Sequence, residues 1–132
     1  MKEEEFKIMK DYLESADGFI KYNHIKVDSI KQDYAKCFVE LTKESMNPMG
    51  ICHGGLLYGL ADTTMGIAAR TTGKNLVTVD SNISFLRAGK GKKIECVAEP
   101  IKIGSNFAFY SAKIYSDDTL IATATGTYVF LK

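Results

Sequence analysis

The sequence is poor in the residues that usually build metal sites and disulfide frameworks. It has no tryptophan, two prolines and only two histidines, His24 and His53, which lie far apart in the chain. Its three cysteines, Cys37, Cys52 and Cys96, are an odd number and show no CxxC spacing. We therefore expect no metal site and no disulfide, and we predict that the cysteines are buried as small apolar side chains in a reducing compartment.

Net charge and long apolar runs are also lacking. The formal net charge is +1 over 132 residues, which gives no electrostatic basis for binding nucleic acid or an anionic membrane. The acidic residues 1–5 are not followed by the apolar run of a secretory signal, and no stretch reaches the roughly 18 apolar residues of a membrane span. We expect one cytoplasmic domain, residues 1–132, long enough to bury its own core.

The chain does have a long, mostly apolar segment between two groups of strand-like segments. Residues 54–72 predict a helix that Gly73 ends, and a short amphipathic helix is predicted near residues 6–16. Strands are predicted over 25–30, 35–41, 76–85, 93–103, 106–116 and 119–131.

Glycines and aspartates mark the connections between the later strands. Gly104-Ser105 and Asp117-Asp118 are predicted as two-residue hairpin turns, which make the strands that they join antiparallel. Gly126 predicts a bulge or a close backbone approach within the last strand. A long apolar helix between strands is buried only if the sheet curls around it. We therefore predict an α+β fold with an antiparallel sheet wrapped around one long central helix.

The start of the long helix carries the strongest chemical signal, in residues 53–62 (HGGLLYGLAD). Gly54 lets other groups closely approach the backbone N–H groups at this end, whose partial positive charge suits an anion or a developing oxyanion. Asp62 is a lone acid on an otherwise apolar helix, which is costly unless the carboxylate is paired or has a use. The two features suit attack on a carbonyl. The alternative is a structural acid held by backbone N–H groups or by Thr78.

Gly54 and Asp62 are too far apart to act on the same carbonyl within one chain. Their eight-residue separation corresponds to about 12 Å along a helix. A reacting carbonyl needs its oxyanion donor and its base or nucleophile within roughly 3 Å, or one water further. If the two residues cooperate, they come from different subunits, so we predict an active site between subunits of a homo-oligomer.

The run at 47–55 (NPMGICHGG), followed by 60–63 (LADT), resembles the signature of hotdog-fold acyl-CoA thioesterases, in particular the phenylacetic-acid-degradation (PaaI-type) branch. The resemblance extends through 68–70 and 77–87 and covers nearly the whole chain. It implies the hotdog fold and a dimer or tetramer. It also implies hydrolysis of an acyl-CoA or aryl-CoA thioester to the carboxylic acid and CoA, with CoA as part of the substrate and no separate cofactor.

The resemblance also implies roles for residues around this helix. Asp62 matches the general base or nucleophile, and Gly54 the residue whose backbone N–H polarises the thioester carbonyl. Thr78 matches a hydroxyl position that helps to hold the attacking water, which favours water activation by Asp62 over formation of an anhydride. Asn47 either hydrogen-bonds the thioester or caps a turn. His53 either contacts the substrate or hydrogen-bonds the backbone and shapes the loop.

Further residues are candidates for holding the CoA and acyl parts of the substrate. They are Gly55, Tyr58, Phe85, Arg87, Lys90 and Lys92. The three basic residues either bind the phosphates of CoA or form a solvated hairpin tip. Ala88 stands where the family commonly has proline in a Leu-Arg-Pro run, so this loop is expected to be less rigid. The two aromatic residues either line the acyl group or belong to the core, and the glycine either contacts substrate or allows tight packing.

Another class of function is compatible with the same fold, namely a non-catalytic hotdog protein that binds acyl-CoA as a ligand sensor. The presence of Asp62 argues against it. A hydratase or dehydratase uses a catalytic histidine and an acid at other spacings, which His53 and Asp62 do not reproduce. A thiol nucleophile at Cys52 is disfavoured because the motif offers no third, orienting residue. Release of free thiol from a panel of acyl-CoAs separates these functions.

Overall fold

Six antiparallel strands form one sheet around a long helix in the computed structural model, which describes residues 1–132. The helices are α1 (Glu3–Ser15), α2 (Phe19–Tyr22) and α3 (Gly54–Arg70), with a short 3₁₀ helix at Lys43–Ser45. The strands are β1 (Ile25–Lys31), β2 (Tyr34–Glu40), β3 (Leu76–Phe85), β4 (Lys93–Ile103), β5 (Phe107–Ser116) and β6 (Thr119–Phe130). Their order in the sheet is β1-β2-β4-β5-β6-β3, and α3 packs against all six. The predicted architecture is confirmed.

Helix α3 is the centre of the core because most of its side chains are apolar and face the sheet. Its fully buried residues include Leu60, Ala61 and Met65. They pack against the inward-facing positions of the strands, where alternate residues of β5 and β6 are buried. Tyr110 and Tyr128 are the largest buried side chains, and their rings meet edge to face with centroids 6.3 Å apart. No helix has the length and apolar composition needed to cross a bilayer.

The two predicted hairpin turns differ in outcome. The Asp117-Asp118 turn is confirmed, with φ of 46° and 78°, the left-handed values of a two-residue turn that follows the twist of the strands. The Gly104-Ser105 turn was wrong by one residue. The N–H of Gly104 bonds the carbonyl of Phe107 at 2.8 Å, so Gly104 extends the ladder and the turn residues follow it.

Gly126 marks a close approach, as predicted, and β6 continues through it without a bulge at that point. A Cβ at Gly126 would lie 2.9 Å from Cε2 of Tyr128 and 3.1 Å from Cε of Met65. The glycine therefore leaves space for the Tyr128 ring beside the strand. Helix α3 ends at Arg70, two residues before the predicted end, and Gly73 follows with a φ of 82°.

Strand β3 is an edge of the sheet and contains a bulge that matters for the site. Its pairing with β6 shifts between Thr78 and Asp80, where one extra residue is accommodated. The bulge changes the phase of side-chain alternation along the strand. As a result Thr78 and Ser81 both face α3, where each hydrogen-bonds a side chain of the helix.

Candidate active site

The first turn of α3 leaves one backbone N–H group free. His53 caps the helix: its Nδ1 accepts a hydrogen bond from the N–H of Gly55 at 2.7 Å. The carbonyl of His53 accepts from the N–H groups of Leu56 and Leu57 at 3.0 and 3.3 Å. The N–H of Gly54 has no partner within the chain. A free donor at the positive end of a 17-residue helix can bind a carbonyl oxygen and stabilise an oxyanion on it.

Two candidate residues beside this turn hydrogen-bond the backbone. Because Nδ1 of His53 accepts the hydrogen bond from the N–H of Gly55, this contact selects the tautomer that carries its proton on Nε2. Oδ1 of Asn47 accepts from the N–H of Met49 at 2.9 Å and, more weakly, from Ile51 at 3.4 Å, which forms an Asx turn. His53 and Asn47 therefore have the structural roles given above: His53 hydrogen-bonds the backbone, and Asn47 caps a turn. The side-chain amide N–H of Asn47 makes no hydrogen bond within the protein and is available to a ligand.

Gly54 opens into a cleft of about 400 Å³. Asn47, Leu57 and Arg87 also line it. The ring of Phe85 covers the glycine so closely that a Cβ added at position 54 would lie 3.3 Å from its Cζ atom. Phe85 is itself 54% exposed, so much of this side chain is accessible to a ligand or a partner. The free N–H and the aromatic ring of Phe85 therefore border the same space.

Asp62 is held by two hydroxyl groups, both on the same carboxylate oxygen. Thr78 Oγ1 donates to Oδ1 of Asp62 at 2.8 Å. The Tyr128 hydroxyl lies 3.1 Å from the same Oδ1 and 3.1 Å from the Asp62 backbone carbonyl. Burial, reinforced by the charge of Asp62, raises the pKa of Tyr128, so this hydroxyl keeps its proton and donates. Oδ2 of Asp62 has no hydrogen bond or ion pair within the chain.

Asp62 lines a second cleft, of about 320 Å³. Its lining includes Leu13, Ile20, Ile67, Leu76 and Val77. This cleft shares no lining residue with the one at Gly54. One chain thus contains a carbonyl-binding group and an acid on the same helix, in separate clefts, and does not bring them together.

Tyr58 lies between the two clefts, one helical turn from each. Its hydroxyl donates to the backbone carbonyl of Ser81 at 2.8 Å and lies 2.9 Å from Oγ of the same serine. The side chain ties α3 to β3. Its predicted contact with an acyl group remains a prediction.

The basic residues after β3 form an exposed loop. Arg87 donates from Nη1 to the carbonyl of Leu120 at 3.1 Å, which fixes one side of the guanidinium. Lys90 and Lys92 are exposed and make no ion pair. Lys93 differs from them, because its Nζ lies over the ring of Phe38, 4.4 Å from the ring centroid. Three cations are therefore available to an anionic ligand.

The cysteines are buried and are not activated as nucleophiles. Burial raises the pKa of Cys52 to about 11 and that of Cys37 and Cys96 to about 12. All three are therefore thiols at neutral pH, whereas a nucleophilic cysteine has to be a thiolate. This geometry agrees with the sequence-based exclusion of Cys52.

Tyr128 and Ser81 were missed from the sequence. Tyr128 lies directly opposite Thr78 in the pairing of β3 with β6, so two facing strand residues reach Asp62 together. These strands are neighbours in the sheet but not in the chain. The alternation of apolar residues in β6 predicts that Tyr128 faces inward. It does not predict which residue of β3 lies opposite Tyr128.

Comparison with known proteins gives a consistent result. The model of the Thioesterase superfamily matches residues 49–123. A protein of Archaeoglobus fulgidus is 30% identical over 121 residues, which are 90% of this chain and 79% of that protein. Acyl-coenzyme A thioesterase PaaI of Escherichia coli is 29% identical over 99 residues, 74% of this chain and 71% of that protein.

A solved structure shares the fold over most of the chain. It is a mutant of the phenylacetic acid degradation protein PaaI from Thermus thermophilus, with a TM-score of 0.82 and 28% identity. The match covers 87% of this chain and 100% of that one.

Proposed function

Because the chain belongs to the thioesterase superfamily, in its PaaI-type branch, we propose that it hydrolyses acyl-CoA or aryl-CoA thioesters to the carboxylic acid and CoA. The observation that carries the proposal is the pair of groups on α3. Gly54 offers a free N–H at the helix start, and Asp62 offers a free carboxylate oxygen. These are the oxyanion donor and the base or nucleophile that attack on a thioester requires.

The proposed active site lies between two copies of the chain. The two groups are about 12 Å apart along one helix and line different clefts, so the acid for each Gly54 comes from a partner. The open edge of β3 supports such pairing: Val77, Val79 and Phe85 on this strand are 48%, 55% and 54% exposed. An exposed apolar edge strand is suited to association with another chain. A dimer with two equivalent sites is the smallest assembly that meets this requirement, and a tetramer contains it twice.

The proposed reaction uses water. Asp62 Oδ2 takes a proton from a water molecule as the water oxygen attacks the thioester carbon. The carbonyl electrons move to the oxygen, which the Gly54 N–H stabilises. The tetrahedral intermediate then collapses, the carbon–sulfur bond breaks, and the leaving CoA thiolate takes up the proton. The Thr78 hydroxyl donates a hydrogen bond to Asp62, so Oγ1 of Thr78 is still able to accept a hydrogen bond from the water.

CoA is proposed to bind along the basic loop beside the Gly54 cleft. Arg87 lines that cleft, and Lys90 and Lys92 are on the same loop. The pyrophosphate and ribose phosphate of CoA carry the charges that these side chains can bind, with arginine as a forked donor.

Replacement of Asp62 tests the proposed function. Asp62→Asn keeps the size of the side chain and removes its charge, so kcat for thiol release from acyl-CoA is expected to fall by roughly 10²- to 10⁴-fold. Asp11→Asn is the matched control, because Asp11 is exposed on α1, outside the β3 edge, and belongs to neither cleft. Circular dichroism and thermal unfolding verify that both variants fold. Activity of Asp62→Asn within a few-fold of the parent contradicts the proposed role of Asp62. Binding of CoA esters by the parent without thiol release contradicts the proposed thioesterase activity.

A further inference from the structure

The carboxylate of Asp62 is held asymmetrically. Thr78 and Tyr128 approach it from two neighbouring strands, and both hydroxyls lie within 3.1 Å of the same oxygen, Oδ1. A carboxylate can rotate about its Cβ–Cγ bond and exchange its two oxygens. Two donors fixed by the backbone of β3 and β6 oppose that rotation. The carboxylate plane and the free oxygen, Oδ2, thereby take one orientation.

The surroundings of Tyr128 are built to bring its hydroxyl to this point. The residue is 1% exposed, and its ring lies over Gly126, where any Cβ would be 2.9 Å from Cε2 and 3.1 Å from the hydroxyl oxygen. The ring edge also meets Tyr110, with centroids 6.3 Å apart. Because the ring is confined on these sides, the hydroxyl has little freedom to leave Asp62. It keeps its proton, since burial raises its pKa.

We propose that Tyr128 is a positioning residue for the reaction: together with Thr78 it holds Oδ1 of Asp62, so that Oδ2 is the oxygen that takes the proton or attacks. This inference rests on the proposed function of Asp62. Tyr128 lines the Asp62 cleft but is only 1% exposed, so its removal is expected to change the alignment of the base and leave substrate binding intact. Misalignment of a reacting group lowers the rate of the chemical step.

The test compares two buried tyrosines that each lose only a hydroxyl. Tyr128→Phe is expected to lower kcat by about 10- to 100-fold with KM unchanged. Tyr110→Phe is the matched control, because Tyr110 is equally buried and belongs to the same aromatic pair, but its hydroxyl points to the carbonyl of Ala68 at 3.5 Å. It is expected to keep the kcat of the parent. Thermal unfolding of both variants measures the structural effect separately.

Two results overturn the proposal. One is equal kcat for Tyr128→Phe and Tyr110→Phe. The other is a rise in KM for Tyr128→Phe with kcat unchanged, which would place the hydroxyl in substrate binding. Asp62→Asn is measured in parallel: if it stays active, the proposed function of Asp62 fails and this inference fails with it. If Asp62→Asn is inactive while Tyr128→Phe is normal, only this inference fails.

A measurement that does not depend on activity covers the case of an unstable Tyr128→Phe. In protein labelled with 3-fluorotyrosine, the ¹⁹F resonance of Tyr128 is expected to shift when Asp62→Asn removes the carboxylate, and that of Tyr110 to stay. Single-site incorporation of the label at each position assigns the resonances. An unchanged Tyr128 resonance contradicts the contact on which the proposal depends.

Discussion

Mixing two inactive variants tests whether each active site takes Gly54 from one subunit and Asp62 from the other. The first variant is Asp62→Asn, which removes the carboxylate charge. The second is Gly54→Pro, which removes the N–H group that has no partner within the chain. Proline fits the first position of a helix, and His53 before it already has the extended conformation that proline requires, with a ψ of 132°. Each variant alone is expected to be nearly inactive.

The expected recovery follows from the statistics of pairing. When equal amounts exchange freely, about half of the dimers are mixed. In a mixed dimer one site has both substitutions and the other has neither, so activity is expected to reach about a quarter of the parent level. At a mixing ratio of three to one, the same counting gives about three sixteenths. The dependence on ratio distinguishes shared sites from a trace of contaminating parent enzyme.

The assay is release of free thiol from an acyl-CoA, with exchange measured by native mass spectrometry on one isotopically labelled variant. Gly54→Ala is the matched control, because it adds a Cβ 3.3 Å from the Phe85 ring and keeps the N–H. It is expected to retain far more activity than Gly54→Pro. If exchange is complete and no activity returns, the two groups do not act across an interface and the proposed mechanism is wrong.

Two other substitutions test the remaining parts of the site. Arg87→Glu is expected to raise KM for CoA esters with kcat similar, because it removes binding that is equal in the ground and transition states. Hydrolysis of an acyl-pantetheine, which lacks the nucleotide, is expected to be unaffected, and an equal loss on both substrates would mean that the loop binds no phosphate. Cys52→Ala is expected to keep the kcat of the parent, because a thiol with a pKa of about 11 is not a nucleophile at neutral pH, and loss of turnover in a folded variant would refute this.

Much of the fold could be predicted because its signals are local. The predicted start of α3 at Gly54 and the bounds of β3 and β4 agree with the structure, since glycine and the alternation of apolar residues mark them directly. The turn at Asp117-Asp118 follows from residue types that tolerate positive φ. The prediction at Gly104 is wrong by one residue, because this glycine pairs with Phe107 and precedes the turn.

The candidate site was predictable only in part. The contact of Thr78 with Asp62 agrees with the expected proximity, and the separation of Gly54 and Asp62 follows from helix geometry alone. Tyr128 was missed because its position depends on the register of two strands that are distant in the chain. The β3–β6 register also includes a bulge between Thr78 and Asp80. No local sequence pattern predicts this bulge.

Helix α3 both fills the core and carries the candidate site residues, and this restricts which substitutions the protein can tolerate during evolution. One face fills the core with fully buried side chains such as Leu60 and Met65, while another holds Gly54 and Asp62. A substitution that reshapes the helix for a new substrate would also lower folding stability. Leu13 and Ile20 line the Asp62 cleft from segments outside this core and are only half-buried, so they can be exchanged at smaller cost. We expect substrate range to diverge through these N-terminal segments.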